Sequence, residues 1–270
     1  MLKELKSKNY RRVKHFFQPL SYNLVIDSII ERYTNALVFA DDMEKPGNAI
    51  IWNKQDTILI GGKPKDQNLI EAFCLIIKNI ILPEARKKYI PELVLHYYPN
   101  LWAEKLVDNL ASLLPQKAYR KYYQFKRNSL KTIDAQDESI LVGKIDMEIL
   151  EQDILNIEHL KGWILSYWQS KDDFLKNGFG WYLLKDGLMA SWCLTVYRSL
   201  SEYEFGVATV PEFRKQDFAS IVTSNCLKHC LDRKLKPHWH CWNKNIASNK
   251  IALRTGFSDP VTYEVLKLKI

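Results

Sequence analysis

The stretch EFRKQDFAS, Glu212–Ser220, follows an alternating run and opens a helical one, and its residue types suit the binding of a diphosphate. Along Tyr203–Val210, residues Glu204, Gly206 and Ala208 face one way and Phe205, Val207 and Thr209 the other, as in a strand. Pro211 leads into a basic turn, and a helix is expected over Phe218–Arg233. A strand–turn–helix unit of this kind aims several backbone N–H groups and the positive end of the helix dipole at one point. Arg214 and Lys215 add cations able to meet two phosphates. Small residues are expected in such a turn, because the anion must come close to the backbone. Asp217 runs against that expectation. Its carboxylate repels phosphate, and at a helix start it caps the same N–H groups an anion would use. Either Asp217 is a plain N-cap in a protein with no anion site, or Arg214 and Lys215 hold it aside in an ion pair.

The elements that position this turn read as mixed α/β. In the second half, strands are expected at Ile140–Ile145, Trp181–Leu184, Met189–Tyr197 and Tyr203–Val210, within KPHWHCWN and near Thr262–Lys267. Helices are expected in DMEILEQDILNIEHL, over Phe218–Arg233 and in NIASNKIALRTGF, the last closed by Gly256. The Asp-Gly pair in KDG is a hairpin signal. In the first half, strands are expected at Ala36–Ala40, Ala49–Asn53, Thr57–Gly61 and Leu93–Tyr97, with a basic-aromatic strand in YRKYYQFKR. Leu69, Ile70, Phe73, Ile76, Ile77 and Ile80 give one buried face to a helix over Gln67–Leu82, which Pro83 is expected to stop. A second helix is expected over Leu101–Leu114. NSLKTIDAQDES is polar and aperiodic, as a linker would be. The expected organisation is an N-terminal α/β domain over residues 1–128, a linker over 129–139 and a second domain over 140–270.

In order, EFGVATVPEFRKQDFASIVTSNCLKHCLDRKLKPHWHCWNKNIASNKIALRTGF resembles the core of a GNAT acetyltransferase. It is most similar to the bacterial branch that includes the zwittermicin-resistance-type acetyltransferases. WQSKDDFLKNGFGWYLL resembles that branch too, so the likeness covers most of Ile140–Ile270. The family turn reads Q/R-x-x-G-x-G/A. Here Arg214-Lys215-Gln216-Asp217-Phe218-Ala219 keeps the arginine and the alanine and replaces the glycine by Asp217. The resemblance implies a mixed sheet flanked by helices for the C-terminal half. The similar element order of the N-terminal half suggests a diverged GNAT-like relative.

The same resemblance implies acetyl-coenzyme A as cosubstrate and an amine of a small molecule as acceptor. Arg214, Lys215, Gln216, Asp217, Phe218 and Ala219 would cradle the pyrophosphate, and backbone groups of Val207, Ala208 and Thr209 would hold the pantetheine. Asn243, Asn245 and Ser248 would lie near the same arm, although Asn245 equally suits a helix cap. Glu204 matches an acidic family position and is the expected base; the plainer alternative is an exposed glutamate on a strand face. Ala252 occupies the position where many members carry a tyrosine acid, so no acid is assigned. The alternative function is a catalytically degenerate ligand-binding or interaction protein on the same scaffold.

Composition limits the rivals. The chain has 270 residues, 47% of them hydrophobic and 26% charged, which is ordinary for a soluble globular protein. Its net charge of +8 favours anionic ligands without choosing among them. No apolar run approaches the roughly 20 residues needed to span a bilayer, and MLKELKSKNYRRVKHFF has no apolar h-region behind its charges. The expectation is a cytoplasmic protein with no membrane partner. The five cysteines, Cys74, Cys193, Cys226, Cys230 and Cys241, read as reduced thiols. Cys226, Cys230, His229, His238, His240 and Cys241 form a local cluster without C-x-x-C spacing, so buried thiols are expected and no metal is assigned. YRKYYQFKRNSLK mixes cations with aromatics, as single-strand nucleic-acid binders do, or as an edge strand protected by lysines does. The edge strand is the expectation.

Overall fold

The alternating runs of the first half form strands, and the helical runs between them pack on the sheet they make. The computed structural model describes residues 2–135 and 137–270. In order come β1 (Lys3–Glu4), α1 (Leu24–Ile30), β2 (Leu37–Ala40), β3 (Asn48–Trp52), β4 (Thr57–Gly62), α2 (Gln67–Ile76), α3 (Leu82–Lys87), β5 (Glu92–Tyr98), α4 (Trp102–Asn109) and β6 (Gln116–Phe125). Successive neighbours from β1 to β4 pair antiparallel, whereas β4 and β5, with α2 and α3 between them, pair parallel. Phe73, Trp102, Ile58, Ile60, Leu93 and Leu95 meet in one buried core. One compact unit comprises the chain up to Arg120 together with Tyr263–Ile270.

Pro83 does not stop its helix. The turn before it, Ile77–Ile81, widens to a π-helix, in which Leu82 N–H reaches back to the Ile77 carbonyl. Pro83 then sits in the first turn of α3, where its missing N–H costs nothing. At the other end of this helical run, Asp66 caps α2 by accepting from Leu69 N–H at 2.8 Å.

The second unit, Lys121–Thr262, contains β7 (Ile140–Lys144), α5 (Met147–Glu151), α6 (Ile157–Tyr167), α7 (Lys171–Asn177), β8 (Gly180–Lys185), β9 (Leu188–Arg198), β10 (Glu202–Thr209), α8 (Phe218–Asp232), β11 (Lys236–Trp242) and α9 (Ile246–Thr255). β12 (Phe257–Lys269) follows and ends in the first unit. The expected single helix in 146–160 is two, α5 and the start of α6, separated at Asn156, which takes a left-handed angle. Asp186 and Gly187 have φ of 51° and 77°, so the Asp-Gly pair makes the expected tight hairpin between β8 and β9. The strand order is β6-β11-β10-β9-β8-β7. β10 pairs antiparallel with β9 and parallel with β11.

Helices cover both faces of this sheet, so the fold is mixed α/β. On one face, Tyr203 and Phe205 of β10 join Ile221, Val222, Cys226 and Leu227 of α8 in a buried core. On the other, a Cβ on Gly206 would come within 2.8 Å of the Trp163 ring of α6, so only glycine lets that helix close on the strand. Between β6 and β7 the chain is irregular but packed. Leu130, Ile133 and Ala135 lie on the second core, Ser129 Oγ donates to the Gly256 carbonyl at 2.6 Å, and Lys185 pairs with Asp137 at 2.7 Å. Among the described residues no helix is long and apolar enough to cross a membrane.

The Asp66 cap gives a direct check. Asp66→Ala is expected to lower the unfolding free energy by about 1 kcal/mol, seen as a lower urea midpoint at unchanged slope.

Candidate functional site

β10 and β11 run side by side for only three residues. Glu202, Tyr203 and Glu204 pair with Lys236, Pro237 and His238. Beyond Glu204 the strands part, and Phe205–Thr209 are paired with β9 alone. The register on the β9 side shifts at this same step, between Glu204 and Phe205, and such an irregularity bends and twists a strand locally. The result is a V with Glu204 and His238 at its vertex. Val207, Ala208 and Thr209, singled out by the sequence, lie on the free arm and are partly exposed.

The open end of the V receives two helix starts, because parallel strands deliver their following helices to the same end. At α9, Asn245 is a cap: its side chain accepts from Ser248 N–H at 3.1 Å. Ser248 Oγ in turn accepts from Trp239 Nε1 at 3.2 Å, and Asn243 is exposed beside them. At α8 the start is open. Asp217 takes φ 61° and ψ 5°, the left-handed conformation, and makes no side-chain cap. Its carbonyl accepts from Ser220 and Ile221 N–H at 2.9 and 3.1 Å. Among the described residues nothing accepts from the N–H groups of Phe218 and Ala219.

The Asp217 carboxylate has been drawn elsewhere. Arg254 Nη1, on the last turn of α9, donates to Asp217 Oδ1 at 2.6 Å. This corrects both sequence readings of Asp217. It holds the N-cap position of α8 but its side chain caps no N–H group, and it is not the partner of Arg214 and Lys215. Arg214 donates from Nε to the Thr209 carbonyl at 3.2 Å, and Arg214, Lys215 and Gln216 are exposed around the turn. The left-handed angle also explains the glycine expected here, since aspartate is among the few L-residues that adopt it readily. Phe218 is buried and Ala219 partly so. Beside the Asp217–Arg254 pair, an open groove of about 700 Å³ is lined by Phe218, Ile221, Ile133 and Ala135, among others.

Glu204 is not an exposed glutamate; only 8% of its surface reaches solvent. Two residues earlier on the same face, Glu202 Oε2 accepts from His238 Nε2 at 2.6 Å, and Lys236 Nζ donates to Glu202 Oε1 at 3.1 Å. The His238 hydrogen bond is the main cause that takes the Glu202 carboxyl from its ordinary 4.5 down to about 2. Neither this pair nor Arg254 was read from the sequence as part of the site. The relevant partners lie 36 and 37 residues apart, and only the packing of β10 on β11 and of α8 on α9 brings them together.

The remaining sequence constellations are dispersed. Cys226 and Cys230 lie in the α8 core, where burial pushes both thiols up, and His229 stacks on Phe179 at 4.5 Å and is pulled down to about 4 by desolvation. His238 and His240 lie on β11, both beside Tyr122. Among the described residues no three His, Cys, Asp or Glu are grouped to hold a metal. The basic-aromatic strand is not the edge strand expected from its lysines: β6 lies between β12 and β11, with Tyr123 buried against Asn249 and Phe125 packed on Phe257 at 5.0 Å.

A strand leading through a turn into an open helix start is the geometry the sequence resemblance implies. The model of the family described as GNAT acetyltransferase matches residues 14–266. The chain belongs to the GNAT acetyltransferase family. This GNAT chain is 22% identical over 265 residues, 98% of each chain, to the uncharacterized N-acetyltransferase YdfB of Bacillus subtilis (strain 168). Among solved structures it is similar to a GCN5-related N-acetyltransferase-like protein from Streptococcus suis 89/1591. The TM-score there is 0.70 at 18% identity, over 97% of this chain and 99% of that one. It also resembles a tandem GNAT protein from the clavulanic acid biosynthesis pathway, with TM-score 0.60 at 8% identity over 100% and 98% of the two chains.

Two outcomes are expected. Asp217→Gly keeps the left-handed backbone and is expected to leave stability nearly unchanged, whereas Asp217→Ala is expected to cost about 1–2 kcal/mol in urea unfolding. The Glu202 carboxyl is depressed on folding, so its contribution to stability is present above about pH 4.5 and is lost as pH falls toward 2. Glu202→Gln is expected to flatten the stability–pH curve across that interval.

Proposed function

We propose that the second unit binds acetyl-coenzyme A at the parted strands and moves the acetyl group to an amine of a small molecule. The observation that carries this reading is the start of α8, without a side-chain cap, beside the arm of β10 that has parted from β11. Along Val207, Ala208 and Thr209, which pair with β9 but have no strand on their β11 side, the backbone suits the amides of a pantetheine arm, as a missing strand would. The N–H groups of Phe218 and Ala219, with Arg214, Lys215 and Gln216, suit a pyrophosphate. Asp217 is tolerated because Arg254 holds its carboxylate, and an exposed pair of this kind is weak enough for phosphate to compete with it. Asn243 and Ser248 line the α9 side, and the groove beside Phe218 and Ile221 takes the nucleotide end.

Bound there, the coenzyme supplies the acetyl group as a thioester. The chain supplies position, an N–H of the free arm to polarise the carbonyl, and Glu204 at the vertex to meet the acceptor's ammonium and draw off a proton. Ala252 is buried in the core and offers no acid. A thiol with a pKa near 8.5 can leave without one. Ala252 is also what favours the second reading, a ligand-binding protein that does not turn over.

The first unit we read as a diverged GNAT-like half, and the chain as a member of the zwittermicin-resistance-type branch. β4 and β5, like β10 and β11, are parallel strands joined through a helix. They differ in staying paired from Thr57–Val94 to Gly61–Tyr98, and Asp66 caps the helix that follows β4. A zipped pair with a capped helix has no place for a coenzyme.

At about 100 times Kd, acetyl-coenzyme A is expected to stabilise the protein by about 2.7 kcal/mol in thermal denaturation, with one site per chain by calorimetry. No shift at millimolar ligand would end this reading, and two sites would overturn the account of the first unit. Release of free thiol with a panel of primary amines separates turnover from binding alone.

A further inference from the structure

At the vertex of the V, His238 is 2% exposed and yet only half satisfied. Its Nε2 is 2.6 Å from Glu202 Oε2, while its Nδ1 is buried without a hydrogen-bond partner. A carboxylate can only accept, so Nε2 carries the proton and Nδ1 presents a free lone pair. His238 is the register partner of Glu204, the last paired residue before the strands part. Register partners on adjacent strands lie about 5 Å apart with side chains on one face. The free lone pair therefore belongs to the face of the sheet that carries Glu204, with no direct hydrogen bond between them.

We propose that His238 is the terminal proton acceptor of the transfer, held in its working tautomer by Glu202 and fed through Glu204. This rests on the acetyl-transfer reading given above. The chemical ground is the geometry: a buried imidazole fixed in one tautomer by a carboxylate, with its other nitrogen left as an unpartnered acceptor, is the arrangement of a general base. The acceptor nitrogen must lose two protons in all. The first passes from Glu204 through one bridging water to Nδ1 of His238, leaving a lone pair on the acceptor nitrogen. The N–C bond then forms and the C–S bond breaks, the thiolate taking the electron pair. The second proton goes to water, and the imidazolium returns the first to the thiolate, so that the products are amide, thiol and one proton in solution. Glu202 stabilises the transient imidazolium, which makes it a positioning residue in the sense of the orienting carboxylate of a hydrolase triad. The other charged or titratable groups around the ring are Glu204 on β10, Lys236 and His240 on β11, and Tyr122, whose ring lies 5.8 Å away.

The test combines kinetics with a measurement on the resting protein. Primary amines of three kinds, a polyamine, an aminosugar and an arylalkylamine, are assayed for thiol release across pH. For any amine that turns over, His238→Gln, which retains a donor toward Glu202, is expected to lower kcat about 10²–10⁴-fold. It is expected to abolish the acid limb of the profile while leaving the acetyl-coenzyme A Kd within a few-fold of wild type. Glu202→Gln is expected to keep the limb and move it to lower pH, because the imidazolium loses its counter-charge. His238→Gln with the wild-type kcat and profile would overturn His238 as acceptor and leave the transfer reading intact. Wild type that binds no acetyl-coenzyme A, or releases no thiol with any of the amines, would overturn both. Ring ¹⁵N shifts of His238 in the unliganded wild type need no variant to fold. An Nε2–H tautomer is expected, and an Nδ1–H tautomer would overturn the proposal.

Discussion

Everything in the second unit is arranged around one failure of pairing. Parallel strands joined through a helix would ordinarily hydrogen-bond along their length, and β4 and β5 do so over five residue pairs. β10 and β11 stop after three. The register shift at Glu204–Phe205 and the close seat of Trp163 over Gly206 accompany the departure of β10 from its neighbour. Backbone donors and acceptors left without a strand partner are costly unless water or a ligand meets them. In the acetyl-transfer reading proposed above, a ligand that carries its own amides takes the place of the missing ladder, which suits the opening to an extended, peptide-like arm.

The two aspartates at the two helix starts show how one residue type gives opposite electrostatics. Asp66, in extended backbone, turns its carboxylate onto the N–H groups of α2 and closes that helix. Asp217, in left-handed backbone, points its carboxylate at Arg254 and leaves the N–H groups of α8 open. Local conformation decides the difference, and the cation on α9 secures it. An anion at α8 therefore meets a helix dipole whose nearest negative charge is already neutralised.

Much of the scaffold is legible in the sequence because it depends on neighbours along the chain. The Asp186–Gly187 hairpin, the Gly256 helix stop and the buried face of α2 follow from turn chemistry and periodicity. Pro83 misleads, because a π turn a few residues earlier absorbs the proline that a regular helix could not. The site is legible only in part. Glu204 and the cradle residues announce themselves by type and order, but the burial of Glu204 depends on elements packed around the strand. The pairing of His238 with Glu202 requires the parallel register, and that of Arg254 with Asp217 requires the packing of two helices. Neither leaves a trace in spacing.

The course of β12 has a temporal consequence. Its last residues, Leu266–Lys269, pair with Leu95–Glu92 of β5, so the first unit takes in Tyr263–Ile270 as well as the residues up to Arg120. A ribosome that has released every residue of the second unit has yet to deliver the strand that completes the first. The half begun earlier is thus completed later, and until Leu266–Lys269 emerge β5 waits with one hydrogen-bonding edge unfilled.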